Sequence, residues 1–271
     1  MSDKKKTTIL PLAAAAIACA AGLAAALFET LANDMIYGGA PTTAFRLGMG
    51  ALERLLLTLA CVALIAWAGY GRLFRPALKG GRVAALAALC VALANFPFIA
   101  LAGGELAYTS DPALLALFGL NCLAVGLFEE CAFRGLLFPL LLSAFEKRDV
   151  RRADVLAILA SSAIFGLFHL VNLFAGAGIG PTLLQVGYTF LVGCMFAALT
   201  LFTRSVLPAV VIHALYDVGG TAVSLGVAGG PQWNAPSVAI MVAASLFAAA
   251  AVIVTLVLRK RGVTDAFLER H

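Results

Sequence analysis

The sequence is poor in charged residues, which make up 12% of its 271 residues, while hydrophobic residues make up 62%. A soluble domain of this length would carry about twice that charged fraction, so the composition excludes an ordinary soluble protein. Apolar runs of about 20 residues are long enough to cross a bilayer as helices. The composition therefore predicts an integral membrane protein.

Several common functional motifs are also missing. The chain has no HExxH helix, GxSxG turn, Walker loop or GxGxxG loop, which argues against zincins, serine hydrolases with that turn and nucleotide-binding enzymes. The net charge is +5, but the basic residues are dispersed, so we predict no nucleic-acid partner. The cysteines form no CxxC pair and lie in apolar runs, which predicts small buried side chains: Cys19, Cys61, Cys90, Cys122, Cys131 and Cys194.

Long apolar segments predict an all-α fold, a polytopic transmembrane helix bundle of about eight spans that forms a single membrane domain over residues 1–271. The spans are roughly 9–32, 51–69, 83–102, 112–145, 154–172, 181–202, 205–228 and 237–258. The first is longer than the 7–15 apolar residues of a signal peptide, so we predict a retained signal-anchor helix. The fourth would be a helix of roughly 50 Å against about 30 Å of hydrocarbon. It must therefore tilt, bend near Gly119 or Gly126, or continue outside the membrane core.

Lysine and arginine residues mark alternate connections between these spans. They stand at the N-terminus, in the second, fourth and sixth connections, and at the C-terminus (Lys4 to Lys6, Arg72 to Arg82, Lys147 to Arg152, Arg204, and Arg259 to Arg270). The first connection holds only Arg46, with Arg54 just inside the next span, and the third, fifth and seventh contain no Lys or Arg. The positive-inside rule therefore predicts that both termini are cytoplasmic, and we expect a plasma-membrane location.

A small group of ionisable residues lies well inside the predicted spans. An Asp, Lys or Arg at the centre of a span costs about 2.5–3.5 kcal/mol on insertion scales, and such residues usually serve a function. The group consists of Glu129, Glu130 and Arg134 in the fourth span, His169 in the fifth, and His213 and Asp217 in the seventh. We predict that these residues form a site inside the bundle.

Helical spacing separates the roles of the two glutamates. Glu130 and Arg134 are four residues apart, so they face each other and can form an ion pair. Glu129 is rotated by about 100° from Glu130, which leaves its carboxylate free for a cavity. His213 and Asp217 also share a helix face, so the carboxyl can orient or charge the imidazole.

Three motifs in this region resemble those of the CAAX-processing and bacteriocin-processing (CPBP, or ABI) intramembrane endopeptidases. The family carries EExxxR, FxxxH and HxxxN or HxxxD on separate spans. Here they stand as Glu129-Glu130-Cys131-Ala132-Phe133-Arg134, Phe165-Gly166-Leu167-Phe168-His169 and His213-Ala214-Leu215-Tyr216-Asp217. The resemblance covers about residues 112–220, the expected catalytic core. Within it, the ring of Phe165 would line the cavity beside His169.

The resemblance implies that Glu129 and His169 activate a water molecule that attacks the scissile amide, while His213 and Asp217 stabilise the oxyanion. Prenyl-protein endopeptidases of the family carry Asn where this chain has Asp217, and an ionised Asp cannot donate a hydrogen bond. Asp217 must then be protonated, orient His213 or bind a metal. The same four residues are a plausible ligand set for zinc. A metallopeptidase and a metal-free Glu/His mechanism therefore both stay open.

Two other functions are compatible with these residues. A non-catalytic binding or immunity scaffold would use the same fold without hydrolysis. A proton-coupled transporter would use the buried carboxylates, but it would favour inverted repeats and helices broken at the midplane, and neither is clear in the sequence. For the endopeptidase, the expected partners are the lipid bilayer and a membrane-associated substrate: a prenylated CAAX protein, a peptide pheromone, a bacteriocin leader or a membrane-anchored protein.

Overall fold

The computed structural model of the chain describes residues 42–78, 80–174, 176–258 and 263–268. The predicted first span at 9–32, Cys19 and the basic residues of both termini lie outside the described residues. Within the described part the fold is all-α apart from one pair of two-residue strands, which confirms the predicted fold class.

The elements are named here in chain order. The helices are α1 (Thr43–Trp67), α2 (Arg82–Ala94), α3 (Phe98–Ala102), α4 (Pro112–Glu130), α5 (Phe138–Glu146), α6 (Ala153–Phe168), α7 (Ile179–Thr203), α8 (Leu207–Gly220), α9 (Ala235–Leu258) and α10 (Val263–Leu268). A π-helical segment (Cys131–Leu137) joins α4 to α5, and 3-10 segments occupy Gly71–Phe74 and His169–Leu173. Strand β1 (Ala107–Tyr108) pairs antiparallel with β2 (Ala228–Gly229).

Seven described segments correspond to the last seven predicted spans. Five are long and apolar enough to cross a membrane: Thr43–Trp67, Pro112–Glu146, Ala153–Leu173, Ile179–Thr203 and Ala235–Val257. Helices α2 and α8 are apolar but shorter, with 13 and 14 residues. The predicted bounds were wrong at three places, because α1 begins eight residues before the predicted start at 51, whereas α2 and α8 end well before 102 and 228.

The connections of the bundle gather at two ends. At the end that carries Arg72 and Arg204, the Val206 N–H donates to the Leu73 carbonyl at 2.9 Å. At the opposite end, the β1–β2 pair joins the connection before α4 to the one after α8. The second and sixth connections, which carry basic residues, therefore meet at one end of α8, and the third and seventh, which carry none, meet at its other end.

The fourth predicted span is one continuous helical rod of 35 residues. It begins at Asp111, whose Oδ1 accepts the Ala113 N–H at 2.9 Å, with Pro112 in the first turn, where a missing N–H costs nothing. α4 runs through Gly119 and Gly126 as regular α-helix. The irregularity lies later, in the π-helical segment, a type of turn that is frequent at functional sites.

Glycine allows α4 to approach the helix that carries His213. A Cβ at Gly126 would lie 3.0 Å from the Val210 carbonyl and 3.2 Å from the Ala214 nitrogen of α8. No larger side chain fits there without moving one of the helices. The bundle surface is apolar, as a lipid-facing surface must be, with large side chains such as Leu59 and Leu246 exposed by 66% and 68%.

Candidate active site

The site is built around Glu130, the last residue of α4, whose side chain is fully buried. Its Oε1 accepts a hydrogen bond from Arg134 Nη1 at 3.0 Å and lies 2.7 Å from Nδ1 of His213. The ion pair predicted from the spacing is therefore present. Glu130 also makes a contact that the spacing did not predict, because its carboxylate binds the imidazole of His213 on α8.

The contact with Glu130 determines which ring nitrogen of His213 donates a hydrogen bond. Because Glu130 Oε1 is a carboxylate oxygen that already accepts from a guanidinium, Nδ1 of His213 is the donor of the 2.7 Å hydrogen bond. The other ring nitrogen, Nε2, then faces the remaining two carboxylates. It lies 3.6 Å from Oε2 of Glu129 and 3.7 Å from Oδ2 of Asp217.

The three carboxylates differ in their access to the surroundings. The side chain of Glu130 has no exposed surface, whereas those of Glu129 and Asp217 are 14% and 15% exposed. Glu129 and Glu130 contact opposite nitrogens of the same imidazole, Nε2 and Nδ1 of His213. Glu129 and Asp217 are therefore the carboxylates that can meet water or a substrate.

His169 lies at the junction of α6 and the following 3-10 segment and is partly buried. Its Nδ1 is 3.0 Å from the backbone carbonyl oxygen of Phe165. Because a carbonyl can only accept, Nδ1 carries the proton and donates it. The second nitrogen of a neutral His169, Nε2, is then left with a lone pair that can accept a proton or a hydrogen bond.

The ring of Phe165 contacts three other side chains of the site, those of His169, His213 and Arg134. Its centroid is 5.0 Å from that of the His169 ring and 6.3 Å from that of His213, so both imidazoles contact one aromatic side chain. The Arg134 Cζ lies 4.2 Å from the same centroid, in the geometry of a cation–π interaction. Phe165 thus packs against the guanidinium of Arg134 and contacts both imidazole rings, while a cavity lined by its ring stays a prediction.

A metal-binding role does not fit this arrangement. Among the described residues, no group of three or more His, Cys, Asp or Glu side chains is placed to hold a metal ion. The zinc ligand set considered from the sequence (Glu129, His169, His213 and Asp217) therefore has no support in this geometry, and the mechanism below uses no metal.

The sequence reasoning missed one aromatic residue beside the site. Phe196 stacks on His213 with centroids 5.3 Å apart. The contact depends on how α7 packs against α8, so no spacing within one helix predicts it.

The comparisons with known proteins agree with the motifs. Residues 111–219 match a family model described as Type II CAAX prenyl endopeptidase Rce1-like. The matched segment is less than half of the chain, but it extends from the start of α4 almost to the end of α8 and contains all three motifs. No curated protein and no solved structure matches the chain significantly.

Proposed function

We propose that the chain is an intramembrane endopeptidase that hydrolyses a peptide bond of a membrane-associated protein or peptide, because residues 111–219 match the family model of Rce1-like type II CAAX prenyl endopeptidases. One observation carries the mechanism. The partly exposed Glu129 carboxylate lies 3.6 Å from His213 Nε2, while the buried Glu130–Arg134 pair holds Nδ1 of the same ring. The site thus contains an accessible base beside an imidazole of fixed orientation.

In the proposed first step, Glu129 and His169 bind one water molecule. The carboxylate and the His169 Nε2 lone pair are both acceptors, so each takes one water O–H. Glu129 removes a proton, and the hydroxide attacks the carbonyl carbon of the scissile amide. General-base assistance of this kind contributes about 10²–10⁴-fold to the rate.

In the second step, the carbonyl oxygen becomes an oxyanion beside His213. With Nδ1 bound to Glu130, a proton on Nε2 is the hydrogen that His213 can donate to this oxygen. In the proposal His213 carries a proton on both ring nitrogens, and carboxylate oxygens of Glu130, Glu129 and Asp217 lie 2.7 to 3.7 Å from these nitrogens. When the C–N bond breaks, the protonated Glu129 returns its proton to the departing amine, and the products are a carboxylate and an amine.

The test compares the purified protein with two single-atom variants on a library of membrane-tethered peptides, with products identified by mass spectrometry. Glu129→Gln removes the base and keeps the side-chain shape. Glu105→Gln makes the same change at an exposed carboxylate in the connection before α4, and it serves as the matched control. We expect cleavage by the wild type and by the control and none by Glu129→Gln.

Equal products from wild type and Glu129→Gln would contradict the proposal. The scaffold alternative predicts no cleavage by any of the three proteins and a cellular phenotype that survives Glu129→Gln. A transporter would show substrate flux in proteoliposomes and no new peptide ends. No observation at the site favours either over hydrolysis.

The proposal extends to placement in the cell. The basic end of the bundle would face the cytoplasm, with both termini on that side of a plasma membrane, and the catalytic core at about 112–220 would form part of a single membrane domain. Reporter fusions after Lys147 and after Ser110 test this orientation. A cytoplasm-dependent signal from the second fusion and not the first would reverse it.

A further inference from the structure

The last turn of α8 begins with Asp217, one of the three carboxylates of the site, and ends at Gly220. A helix leaves the carbonyl groups of its last four residues without partners inside the helix, and a buried carbonyl needs a donor from elsewhere. Two amide side chains beside this turn are themselves buried, Asn95 with 3% and Gln232 with 8% of its surface exposed. Both donate to carbonyl groups at the end of α8.

Gln232 lies in the connection between β2 and α9. Its Nε2 donates to the carbonyl oxygen of Gly219 at 2.6 Å, across 13 positions of the chain. The carbonyl of Asp217 has a nearer partner, since it accepts from the Thr221 N–H at 2.9 Å and from Thr221 Oγ1 at 2.7 Å. A buried carbonyl without a donor is costly, so the bond from Gln232 ties this connection to the helix end.

Asn95, at the end of α2, holds the same turn from a second helix. Its Nδ2 donates to the carbonyl oxygen of Tyr216 at 2.7 Å. Two glycines make room for it, because a Cβ at Gly219 would lie 2.9 Å from the Asn95 carbonyl oxygen and a Cβ at Gly220 would lie 2.6 Å from Nδ2. Asn95 is therefore packed against the backbone of the turn as well as hydrogen-bonded to it.

The two bonds lie on either side of Asp217 in the chain. Tyr216, which accepts from Asn95, comes one residue before it, and Gly219, which accepts from Gln232, comes two residues after it. Oδ2 of Asp217 is 3.7 Å from Nε2 of His213. The imidazole is held separately, by its contact with Glu130. A shift of the last turn would therefore move the Asp217 carboxylate relative to the His213 ring.

We propose that Asn95 and Gln232 are positioning residues, which hold the last turn of α8 so that the Asp217 carboxylate stays beside Nε2 of His213. The connection after β2 thereby supports the geometry of the site, although it contributes no residue to the three motifs. The effect on rate rests on the proposed endopeptidase activity. The hold on α8 does not depend on that activity and is measured separately.

The test uses Gln232→Met, which keeps a side chain of similar size and removes the donor. The substrate is the library peptide that the wild type cleaves fastest. Because a misplacement of about 1 Å can cost about 10² in rate, we expect kcat to fall by about 10 to 10², with KM changed by less than about twofold. Amide hydrogen exchange in peptides covering 214–222 should become faster, since exchange reports local opening.

Asn234→Leu, two residues later in the same connection, is the control for a loss of stability. Asn234 caps α9, since its Oδ1 accepts the Ser237 N–H at 3.0 Å. This variant should lower the unfolding midpoint in detergent and leave kcat and the exchange of 214–222 unchanged. Asn95→Leu removes the other donor and should reproduce the effects of Gln232→Met. It also tests the inference if Gln232→Met does not fold.

Support for the inference requires both a lower kcat and faster exchange in the donor variants, and either effect without the other overturns it. An equal fall of kcat in Asn234→Leu would also overturn it, because the loss would then follow from stability alone. If the wild type cleaves, Glu129→Gln does not, and the donor variants match the wild type, then only the positioning role fails. If the wild type does not cleave, the endopeptidase proposal and the effect on rate both fail.

Discussion

His213 and Glu130, 83 residues apart in the chain, are joined by a hydrogen bond of 2.7 Å between Nδ1 and Oε1. Both side chains are buried, and the same oxygen accepts from Arg134. The second glutamate of the EExxxR motif therefore links the ion pair of one helix to the imidazole of another. The two adjacent glutamates therefore have different surroundings, since Glu130 is fully buried and Glu129 is partly exposed. We expect their substitutions to differ in their effects on stability.

Glu129→Gln and Glu130→Gln should differ in their effect on stability. Glu129→Gln should lower kcat by about 10²–10⁴ and leave the unfolding midpoint in detergent close to that of wild type, because Glu129 is partly exposed. Glu130→Gln should lower both, because it leaves the buried Arg134 without its counter-charge, at a cost of about 3–5 kcal/mol. Equal unfolding midpoints for the two variants would contradict this prediction.

A double variant tests the ion pair directly. Replacing Glu130 by Gln and Arg134 by Leu together should destabilise less than the sum of the single changes, since the double variant leaves no unpaired buried charge. The measurement is the free energy of unfolding of the four proteins in one detergent. Strict additivity would show that the contact at 3.0 Å contributes no coupling.

Gly193 should tolerate no side chain. A Cβ there would lie 3.2 Å from Arg134 Nη2, 3.2 Å from Phe165 Cδ1 and 3.0 Å from Ser162 Cβ. Gly193→Ala should therefore displace the guanidinium and cost about 1–3 kcal/mol, with a loss of kcat. Gly187→Ala on the same helix is the control, because a Cβ there meets nothing within 4 Å. Equal stability of the two variants would argue against tight packing around Arg134.

Phe165→Leu should reduce activity more than an exposed change of the same kind. It removes the aromatic face under Arg134, worth about 0.5–2 kcal/mol, and the ring that lies between the two imidazoles. Phe174→Leu, at a side chain 73% exposed, is the control. The prediction fails if kcat and the unfolding midpoint of Phe165→Leu match those of the control.

A chelator should not change the rate. The proposed steps use Glu129, His169 and His213 without a metal, and the described donors do not form a metal site. The measurement is kcat before and after dialysis against 1,10-phenanthroline, followed by addition of Zn²⁺. A loss that zinc restores would require a different arrangement of these residues from the one described.

Much of the site could be predicted because its contacts are local. Glu130–Arg134 and His213–Asp217 lie four residues apart, so helix geometry alone places each pair together. The contact of Glu130 with His213 depends on how α4 and α8 pack, and no spacing within one helix contains that information. Phe196 was missed for the same reason, since its stacking on His213 depends on how α7 and α8 pack.

The wrongly predicted helix bounds also have causes in the local sequence. Hydropathy placed the start of α1 at 51, because the preceding residues are less apolar, although Thr42 caps the helix by accepting the Phe45 N–H. It extended the seventh span to 228 because the residues after Gly220 are also apolar. The π-helical segment after Glu130 has no hydropathy pattern of its own, so the predicted bend was assigned to glycines instead.

The shortness of α8 places one carboxylate of the site close to a helix end. A helix of 14 residues is about 21 Å long, less than the roughly 30 Å of a bilayer core. Asp217 lies three residues before the last residue of α8, which is roughly 5 Å along the axis. In the proposed endopeptidase, water would therefore enter from the Gly220 end of α8 and would not have to cross the whole length of the bundle.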